Sequence, residues 1–309
     1  MEKRRLDICI GEWLNDFKRT SVKILTYDRL LISFKLMRDY PIAACPVDRL
    51  TSRDIQLYLN DLIKDNYSLS TIRKQYNLIT GYWKWAMAQG LVSAPVYMSV
   101  NLPRSESFDE ESKDILTYSH EEQDLMLSEC LKSEKPQCFV AVLMLETGMR
   151  IGEALALTWD DILWNRRAIR IHSTLIRMSS KASTYVQESP KSKTSRRTIP
   201  LSDRAIEILQ KLKLRKTFSK YVFAREKDPS MPYSYSSIEF HIRRLCKDLD
   251  IPYRGLHAFR HSFATNCYER GCDVKILSKL LGHADVAITY NIYIHLYGDS
   301  LEEMRKVLS

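Results

Sequence analysis

Glycine and long apolar runs are both scarce in this sequence. It holds nine glycines among 309 residues, too few for the many tight turns of a mainly β fold, so helices are favoured. The longest strongly apolar stretch, Cys138 to Leu145, is far too short to cross a bilayer. Acidic residues interrupt the first 17 positions, which is not typical of an export signal. The sequence therefore indicates no membrane or export role.

Paired cysteines and common cofactor motifs are also missing from the sequence. The seven cysteines are scattered and form no C-x-x-C pair, which is typical of free thiols in a reducing cytoplasm. The sequence contains no Walker loop, no H-E-x-x-H segment and no acidic cluster suited to paired magnesium ions. We therefore expect a cytoplasmic protein that needs no cofactor.

Positive charge is in surplus, and its placement divides the chain. Residues 1–104 hold 16 Lys and Arg against 10 Asp and Glu, and residues 125–309 hold 30 against 20. Residues 105–124 instead hold eight acids and one base. Two basic segments joined by an acidic one indicate two domains and a polyanion partner, since 309 residues exceed the usual size of one domain. Charge alone leaves nucleic acid and a merely basic surface as equal alternatives.

The first hundred residues predict consecutive amphipathic helices. The apolar face of the first comprises Ile10, Trp13, Leu14 and Phe17. The second follows a capping pattern that runs from Thr51 to Asp54. Its apolar face comprises Ile55, Tyr58, Leu59 and Leu62.

A third helix is indicated more clearly still. Ser70 is its predicted cap and Gly90 its predicted stop. Its apolar face comprises Ile72, Tyr76, Ile79, Trp83 and Met87. Its exposed basic residues are predicted to be Arg73, Lys74 and Lys84. These three are candidates for DNA contact, and the alternative is the solvated basic side of a small helical bundle.

Residues 103–122 lack periodicity and carry the acidic run, so they predict a linker between a domain at 1–102 and a domain at 123–309. The second domain is predicted to begin with helices that continue through Leu155. Two-residue alternation then predicts short strands at 168–171 and 197–201. Helices are predicted again at 203–212, 237–249, 257–270 and 273–281. The predicted fold is mainly α with a small antiparallel β-sheet.

Arg150 follows a glycine turn in the segment Leu145-Glu-Thr-Gly-Met-Arg-Ile-Gly-Glu-Ala-Leu-Ala-Leu157, and Glu153 comes three residues later. The planar guanidinium group of an arginine there can bind two phosphate oxygens at once. Because residues three apart share a helical face, the alternative is an ordinary surface ion pair between Arg150 and Glu153.

His257 and Arg260 lie one helical turn apart in the segment His257-Ala-Phe-Arg-His-Ser-Phe-Ala-Thr-Asn266. We expect them to point the same way, with His261 turned aside, so that two cationic donors converge. Taken alone, His257 fits a structural histidine at least as well as a catalytic one.

The segment Leu280-Leu-Gly-His-Ala-Asp-Val-Ala-Ile-Thr-Tyr-Asn-Ile-Tyr-Ile-His295 contains His283, Tyr290 and Tyr293, and Tyr297 lies just beyond it. The three tyrosines fall on one helical face. An aromatic stripe packed against the core is therefore the alternative to a catalytic tyrosine.

Together these segments resemble the signature of the tyrosine recombinase family, namely its T-G-x-R-x-x-E, H-x-x-R and L-G-H boxes and a terminal tyrosine. The T-x-N-x-Y-x-H form around Tyr293 is most similar to integrases of phages and conjugative transposons of Gram-positive bacteria. The likeness extends over nearly the whole chain, because residues 1–102 resemble the family's helical, SAM-like core-binding domain. It implies a mixed α/β catalytic domain at 123–309.

The resemblance implies a role for each motif residue. Arg150 and Arg260 would hold the scissile phosphate. His257 and His283 would complete the cationic pocket, and Tyr293 would be the nucleophile. Many members place the tyrosine nine residues after the histidine of L-G-H, whereas Tyr293 is ten after it, a spacing that the Gram-positive subgroup shares. Tyr290 remains the alternative nucleophile.

The family also uses a lysine from a β-hairpin ahead of the H-x-x-R box. The segment Pro190-Lys-Ser-Lys-Thr-Ser-Arg-Arg-Thr-Ile-Pro-Leu201 resembles that element. Lys191 matches the catalytic position best, and Lys193 is its rival and otherwise a candidate DNA contact. A solvated basic turn is the alternative for both.

The implied reaction is cleavage and rejoining of double-stranded DNA through a 3′-phosphotyrosyl link, without ATP or metal. Implied partners are DNA, three further copies of the chain on paired sites and a directionality factor. The helical pattern begins almost at Met1, so we expect action at simple core sites, without a module for distant arm sites. Competing interpretations are a Xer-like resolvase, a type IB topoisomerase and a noncatalytic DNA-binding regulator.

Overall fold

The computed structural model describes residues 4–103, 116–133, 135–177, 184–187, 196–215, 218–283, 285–287 and 289–290. Lys191, Lys193 and Tyr293 lie outside these ranges, as does most of the predicted linker. The chain divides into two compact units, one formed by the described residues up to 103 and the other by those from 116 onward. The bounds predicted at 102 and 123 remain predictions, because the segment between them is only partly described.

The first unit is a helical bundle. Its helices are α1 (Leu6–Glu12), α2 (Arg19–Ser21), α3 (Ile24–Arg38), α4 (Ser52–Lys64) and α5 (Leu69–Ala88). A π-helical turn, Trp13–Lys18, joins α1 to α2, and short 3-10 turns lie at Pro41–Ala44 and Val47–Arg49. Large apolar side chains from α1, α4 and α5 meet in the core of this unit.

The predicted start of α4 is confirmed. The Asp54 backbone N–H donates to the Thr51 hydroxyl, and the Asp54 carboxylate accepts from the Thr51 backbone N–H at 2.9 Å. This reciprocal cap satisfies two backbone donors that the helix leaves unpaired. The predicted apolar face of α4 is buried as expected.

Two details of the first unit differ from the prediction. Phe17 is 47% exposed rather than in the core, because the π turn adds a residue and rotates it off the apolar face. Its ring packs instead on Trp85, with ring centres 4.6 Å apart. The cap of α5 is Ser68, whose hydroxyl accepts from the Thr71 backbone N–H, whereas Ser70 lies inside the helix.

The second unit packs helices against a small antiparallel sheet. Its helices are α6 (His120–Ser133), α7 (Pro136–Thr147), α8 (Ile151–Ala156), α9 (Asp203–Leu214), α10 (Tyr235–Asp248), α11 (His257–Glu269) and α12 (Val274–Leu281). Short 3-10 turns lie at Trp159–Asp161 and Trp164–Arg166. Every helix predicted for this half from residue 203 onward is present, with ends shifted by at most two residues.

The strands of the second unit form two antiparallel groups. The strands are β1 (Ile162–Leu163), β2 (Ala168–Ile171), β3 (Thr174–Arg177), β4 (Thr184–Gln187) and β5 (Arg197–Pro200). β2 lies between β1 and β5, and Ile171 is paired with Arg197. Among the described residues, β3 and β4 pair with each other and with no other strand, and they were not predicted because the segment between β2 and β5 is polar.

Helix α7 lies at the centre of the second unit. It begins at Pro136, where the fixed φ of proline suits the first turn, and it packs against α6, α8, α9, α10 and α11. Because it has neighbours on all sides, its apolar residues follow one another without a polar face. Neither α7 nor any other described helix is long and apolar enough to span a membrane. The end of α7 leads directly into the segment that carries Arg150.

Replacing Gly152 with alanine is expected to destabilise the second unit. A Cβ atom there would lie 2.3 Å from the Tyr235 hydroxyl, 2.6 Å from the Thr174 hydroxyl and 2.8 Å from the Leu175 carbonyl oxygen. Overpacking of this kind typically costs about 1–3 kcal/mol. Urea denaturation measures the loss, and Gln210→Ala, at an exposed position of α9, should change the free energy of unfolding by less than about 0.5 kcal/mol. Equal effects of the two substitutions would show that Gly152 is not tightly enclosed.

Candidate active site

Arg150 is placed by a tight turn between α7 and α8. Gly148 ends α7 with φ +64°, and a Cβ there would lie 2.3 Å from the ring of Phe263, so only glycine fits. Arg150 then caps α8, and its backbone N–H donates to the Glu153 carboxylate at 2.8 Å. Its guanidinium donates to Glu153 Oε1 at 3.0 Å and to the Gly282 carbonyl oxygen at 3.4 Å, and its side chain is 34% exposed. One arginine of the cluster is therefore held at its backbone and at its guanidinium and remains partly exposed to solvent.

Glu153 joins Arg150 to a second arginine, Arg197, at the start of β5. Arg197 Nη2 and Nη1 donate to the two carboxylate oxygens at 2.7 and 3.0 Å, and Arg197 Nε donates to the Leu280 carbonyl oxygen at 2.5 Å. The side chains of Glu153 and Arg197 are only 5% and 6% exposed. The Arg150–Glu153 pair exists as predicted, but the surface interpretation of it is wrong, because the carboxylate is buried.

The charge of Glu153 is maintained by its partners. Burial alone raises the pKa of this carboxyl group, but the hydrogen bonds and positive charge of Arg197, together with the charge of Arg150, bring the pKa below its ordinary value. Glu153 is therefore ionised at neutral pH and serves both arginines as a buried counter-ion.

Arg260 lies in the first turn of α11 and is 4% exposed. Its Nη1 donates to the Gly148 carbonyl oxygen at 2.9 Å, and its Nη2 donates to the Leu281 carbonyl oxygen at 2.8 Å. Both oxygens lie at the C-terminal ends of helices, where partial negative charge favours a cation. Burial and the charge of Arg150 lower the pKa of Arg260 to about 9, so the guanidinium remains charged at neutral pH.

His283 follows α12 and contacts Arg260 directly. The Arg260 Nη2 group lies 2.7 Å from His283 Nε2, and His283 Nδ1 lies 2.7 Å from the hydroxyl oxygen of Thr289. Burial and the charges of Arg260 and Arg150 lower the pKa of His283 to about 4. The imidazole is therefore neutral at pH 7. Gly282, between α12 and His283, ends the helix at φ +68°, and a Cβ there would lie 3.0 Å from Arg197 Nη1.

His257 begins α11 and reaches the surface. The surrounding protein and the charges of Arg260 and Arg150 lower the pKa of its imidazole below the usual value. The prediction that His261 turns aside is wrong, because residues four apart share a helical face, and the two imidazole centres lie 6.4 Å apart. Burial also lowers the pKa of His261, to about 4. His257 is thus a neutral base at neutral pH beside fixed cations.

The structure brings four predicted residues into one place. Arg150, Arg260 and His283 are linked through hydrogen bonds around Gly148 and Gly282, and His257 lies within electrostatic range of both arginines. Tyr290, the alternative nucleophile, has a side chain that is 56% exposed. Lys191, Lys193 and Tyr293 lie outside the described residues. Within the described parts of the chain, no three metal-binding side chains come together.

Sequence reasoning missed two members of the cluster, Arg197 and Thr289. Arg197 stands at the first position of an alternating strand, a signal that it projects with the inward-facing Ile199. Thr289 is the first residue of the T-x-N-x-Y-x-H segment around Tyr293, but nothing in that segment indicates a contact with His283. Both become visible only through their partners, Glu153 and His283.

The cluster carries uncompensated positive charge. Among the described residues it holds three guanidinium groups, those of Arg150, Arg197 and Arg260, against one carboxylate, that of Glu153. Because the histidines are neutral, the surplus is two positive charges. A site of this kind favours a bound anion, and guanidinium groups suit phosphate oxygens in particular.

Arg197→Met is expected to destabilise the second unit by about 3–5 kcal/mol, because it leaves the buried Glu153 carboxylate without its main partner. The double variant Arg197→Met/Glu153→Gln should lose about 1–3 kcal/mol less than the sum of the single losses. Urea denaturation of the three variants measures this coupling. Arg243→Met provides the matched control, since its pair with Glu239 is exposed and should contribute less than about 1 kcal/mol. If the double variant loses the exact sum of the two single losses in free energy of unfolding, Arg197 and Glu153 do not form a buried pair.

The depressed pKa of His283 predicts a loss of stability in mild acid. Well above pH 6.5 the imidazole is neutral in both folded and unfolded chains. Between pH 6.5 and about 4 the unfolded chain takes up the proton first, so the free energy of unfolding falls as pH falls. His283→Gln lacks this group, and its free energy of unfolding should decline less from pH 7 to pH 5. If the free energy of unfolding falls equally in the wild type and in His283→Gln, as measured by urea denaturation at each pH, folding does not lower the pKa of His283.

Comparison with known proteins matches residues 110–299 to the model of the phage integrase family. A XerC-like tyrosine recombinase of Caldanaerobacter subterraneus is 26% identical over 94% of this chain and 80% of its own length. The transposase of transposon Tn916 from Enterococcus faecalis is 28% identical over 63% of this chain, and the match spans about half of that protein.

A solved structure shares the fold over nearly the whole chain. The integrase of transposon Tn1549, solved in complex with transposon right-end DNA, superimposes with a TM-score of 0.81 at 21% identity, covering 99% of this chain and 100% of that one. The predicted fold class is thereby confirmed. The family match covers more than half of the chain and includes the motif segments that carry Arg150, His257, Arg260 and His283. The chain therefore belongs to the phage integrase family, that of the tyrosine site-specific recombinases, which break and rejoin DNA strands.

Proposed function

We propose that this recombinase integrates or excises a mobile genetic element, and that it cuts double-stranded DNA through a phosphotyrosine made by Tyr293. The observation that carries the proposal is the surplus of two positive charges around Glu153. A phosphodiester carries one negative charge, and its pentacoordinate transition state carries about one more. Fixed guanidinium groups stabilise that added charge at no cost of reorganisation.

Tyr293 must lose its proton to attack. A phenol with a pKa of about 10 is ionised in only about one molecule per thousand at pH 7. His257 is neutral at that pH and reaches the surface, so it can accept the proton as the bond from the tyrosine oxygen to phosphorus forms. The bond from phosphorus to the 5′ oxygen breaks in the same step.

The remaining residues act on the phosphate oxygens and the leaving group. Arg150, whose side chain is partly exposed, binds the phosphate from the open side, and Arg260 binds it from the floor of the site. Lys191 protonates the departing 5′ oxygen, and Lys193 is the alternative for that role. The products are a 3′-phosphotyrosyl link and a free 5′ hydroxyl.

Rejoining reverses these steps with a different strand. The phosphotyrosine retains the energy of the broken phosphodiester, so the 5′ hydroxyl of another strand can attack phosphorus and release Tyr293. The proposed cleavage and rejoining therefore use neither ATP nor a metal ion. Strand exchange requires two duplexes to be cut together. By resemblance to the family, four protomers bound to paired sites carry out this cutting. We place the reaction in the cytoplasm. A directionality factor that biases integration against excision completes the proposed set of partners.

Each unit supplies its own basic surface for DNA. In the first unit Arg73, Lys74 and Lys84 are exposed on α5, opposite its buried apolar face. Lys84 Nζ also lies 5.6 Å from the centre of the Tyr97 ring. We propose that these residues contact DNA phosphates, which position a protein on the duplex without reading its sequence.

A Xer-like resolvase of DNA dimers is the second candidate. The XerC-like relative favours it, since that match extends over 94% of this chain. The transposon relatives favour the first candidate. The two functions differ in substrate: an integrase acts on the junctions of an element with flanking DNA, whereas a resolvase acts on a site repeated in a DNA dimer. Sequencing the DNA on either side of the encoding gene, to find element ends, distinguishes them.

Tyr293→Phe is expected to abolish the covalent protein–DNA link, because phenylalanine has no oxygen to form it. Nicked duplexes made from the junctions that flank the encoding gene serve as the probe, since the short cut fragment diffuses away and traps the link. Denaturing gels then show a slow protein–DNA band with the wild type. Tyr290→Phe is the matched control and should retain the band. A band that persists with Tyr293→Phe and is lost with Tyr290→Phe would overturn the assignment of the nucleophile.

A further inference from the structure

The hydrogen-bond network behind Arg260 continues through His283 to Thr289, the first residue of the T-x-N-x-Y-x-H segment. This side chain is fully buried, and its hydroxyl oxygen lies 2.7 Å from His283 Nδ1. The other imidazole nitrogen, Nε2, lies 2.7 Å from Arg260 Nη2. Thr289, His283 and Arg260 thus form one continuous chain of contacts.

The proton positions in this chain follow from the donors available. A guanidinium nitrogen can only donate, and Nη2 of Arg260 has two hydrogens. The Leu281 carbonyl oxygen accepts one of them, and His283 Nε2 is the acceptor of the other. A neutral imidazole that accepts at Nε2 carries its proton at Nδ1. Thr289 is therefore the acceptor of the His283 proton.

The opposite tautomer does not fit the same geometry. With the proton at Nε2, two N–H groups would face each other across 2.7 Å, and Nδ1 would face the Thr289 hydroxyl as an acceptor. Arg260 would have to turn away from His283 and loosen its bonds to Gly148 and Leu281. The position of one proton on His283 thus decides whether Arg260 keeps its place.

We propose that Thr289 is a positioning residue, which holds His283 as the Nδ1–H tautomer and thereby fixes the Arg260 guanidinium for phosphate binding. The inference rests on the proposed role of Arg260 in DNA cleavage. It assigns His283 a specific task before DNA binds: it is an acceptor that orients Arg260. Thr289 lies four residues before Tyr293 in the sequence, so the segment that carries the nucleophile also carries the group that fixes the phosphate site.

The tautomer can be measured without DNA. In protein labelled with ¹⁵N at histidine, imidazole shifts distinguish the nitrogen that bears the proton, and a His283→Asn variant identifies the signals of His283 among the seven histidines. The wild type is expected to show the proton at Nδ1. A wild type with the proton at Nε2 would overturn the proposal before any threonine variant is made.

Two matched substitutions test the hydroxyl itself. Thr289→Val keeps the shape and removes the acceptor, whereas Thr289→Ser keeps the acceptor and removes a methyl group. Thr289→Val should shift His283 away from the Nδ1–H form and slow formation of the covalent link with the nicked duplex by about ten- to a hundred-fold. Thr289→Ser should keep the wild-type tautomer and stay within about threefold of the wild-type rate. A role in packing alone predicts the reverse order, since valine fills the space better than serine.

The outcomes separate this inference from the proposed function. If the wild type forms the link and Thr289→Val shifts the tautomer without slowing the reaction, the positioning role is wrong and the proposed function stands. If the wild type forms no link while its tautomer is as expected, the proposed function fails instead. Should Thr289→Val not fold, Thr289→Ala removes the same acceptor from a smaller side chain, and the same two measurements apply to it.

Discussion

The arrangement of the site depends on one buried carboxylate. Glu153 binds the guanidinium of Arg197 with both oxygens and that of Arg150 with one, although its side chain is almost completely removed from water. Burying an unpaired carboxylate would cost several kcal/mol, so the folded chain must bring both guanidinium groups to it. Since Arg150 belongs to the turn after α7 and Arg197 to β5, satisfying this one group joins the central helix of the unit to its sheet.

Arg260 is held by the C-terminal ends of two helices rather than by a carboxylate. α7 and α12 both finish at a glycine with positive φ, and each turn directs a carbonyl oxygen to the Arg260 guanidinium. Those oxygens carry the negative ends of the two helix dipoles, which replace the carboxylate that a buried arginine usually needs. Because no second acid among the described residues neutralises Arg260, the charge of the site remains available to an anion. The glycines of the T-G-x-R and L-G-H boxes thus have an electrostatic reason as well as a conformational one.

Much of this architecture was predictable because its signals are local. The capping pair Thr51 and Asp54 and the glycine after α12 mark helix ends within a few residues of sequence. Phe17 was misplaced because a π turn changes the helical period without any marker in the sequence. Strands β3 and β4 were missed since their pairing, rather than their composition, makes them strands.

The same distinction applies to the candidate site. Arg150, His257, Arg260 and His283 were found because each lies in a motif with fixed spacing, and the structure brings them together. Arg197 stands outside those motifs, and Thr289 lies in the T-x-N-x-Y-x-H segment, where the resemblance gives it no other role than marking the family. Their partners are 44 and six residues away in the sequence. Strand alternation indicates the direction of Arg197, but no spacing in the sequence marks either contact. The motifs therefore identify four members of the cluster, and the structure adds the contacts of Arg197 and Thr289.

His257 and His283 are neutral at neutral pH, and this limits the positive charge of the cluster. If His257 and His283 were charged, the cluster would hold four positive charges in excess, and its own repulsion would oppose folding. Burial, together with the charges of the nearby arginines, prevents this by lowering the pKa of both imidazoles. As a result, the positive charge of the cluster comes from guanidinium groups and does not vary with pH near neutrality. The imidazoles are left to accept protons or hydrogen bonds, that of His257 at the surface and that of His283 behind Arg260.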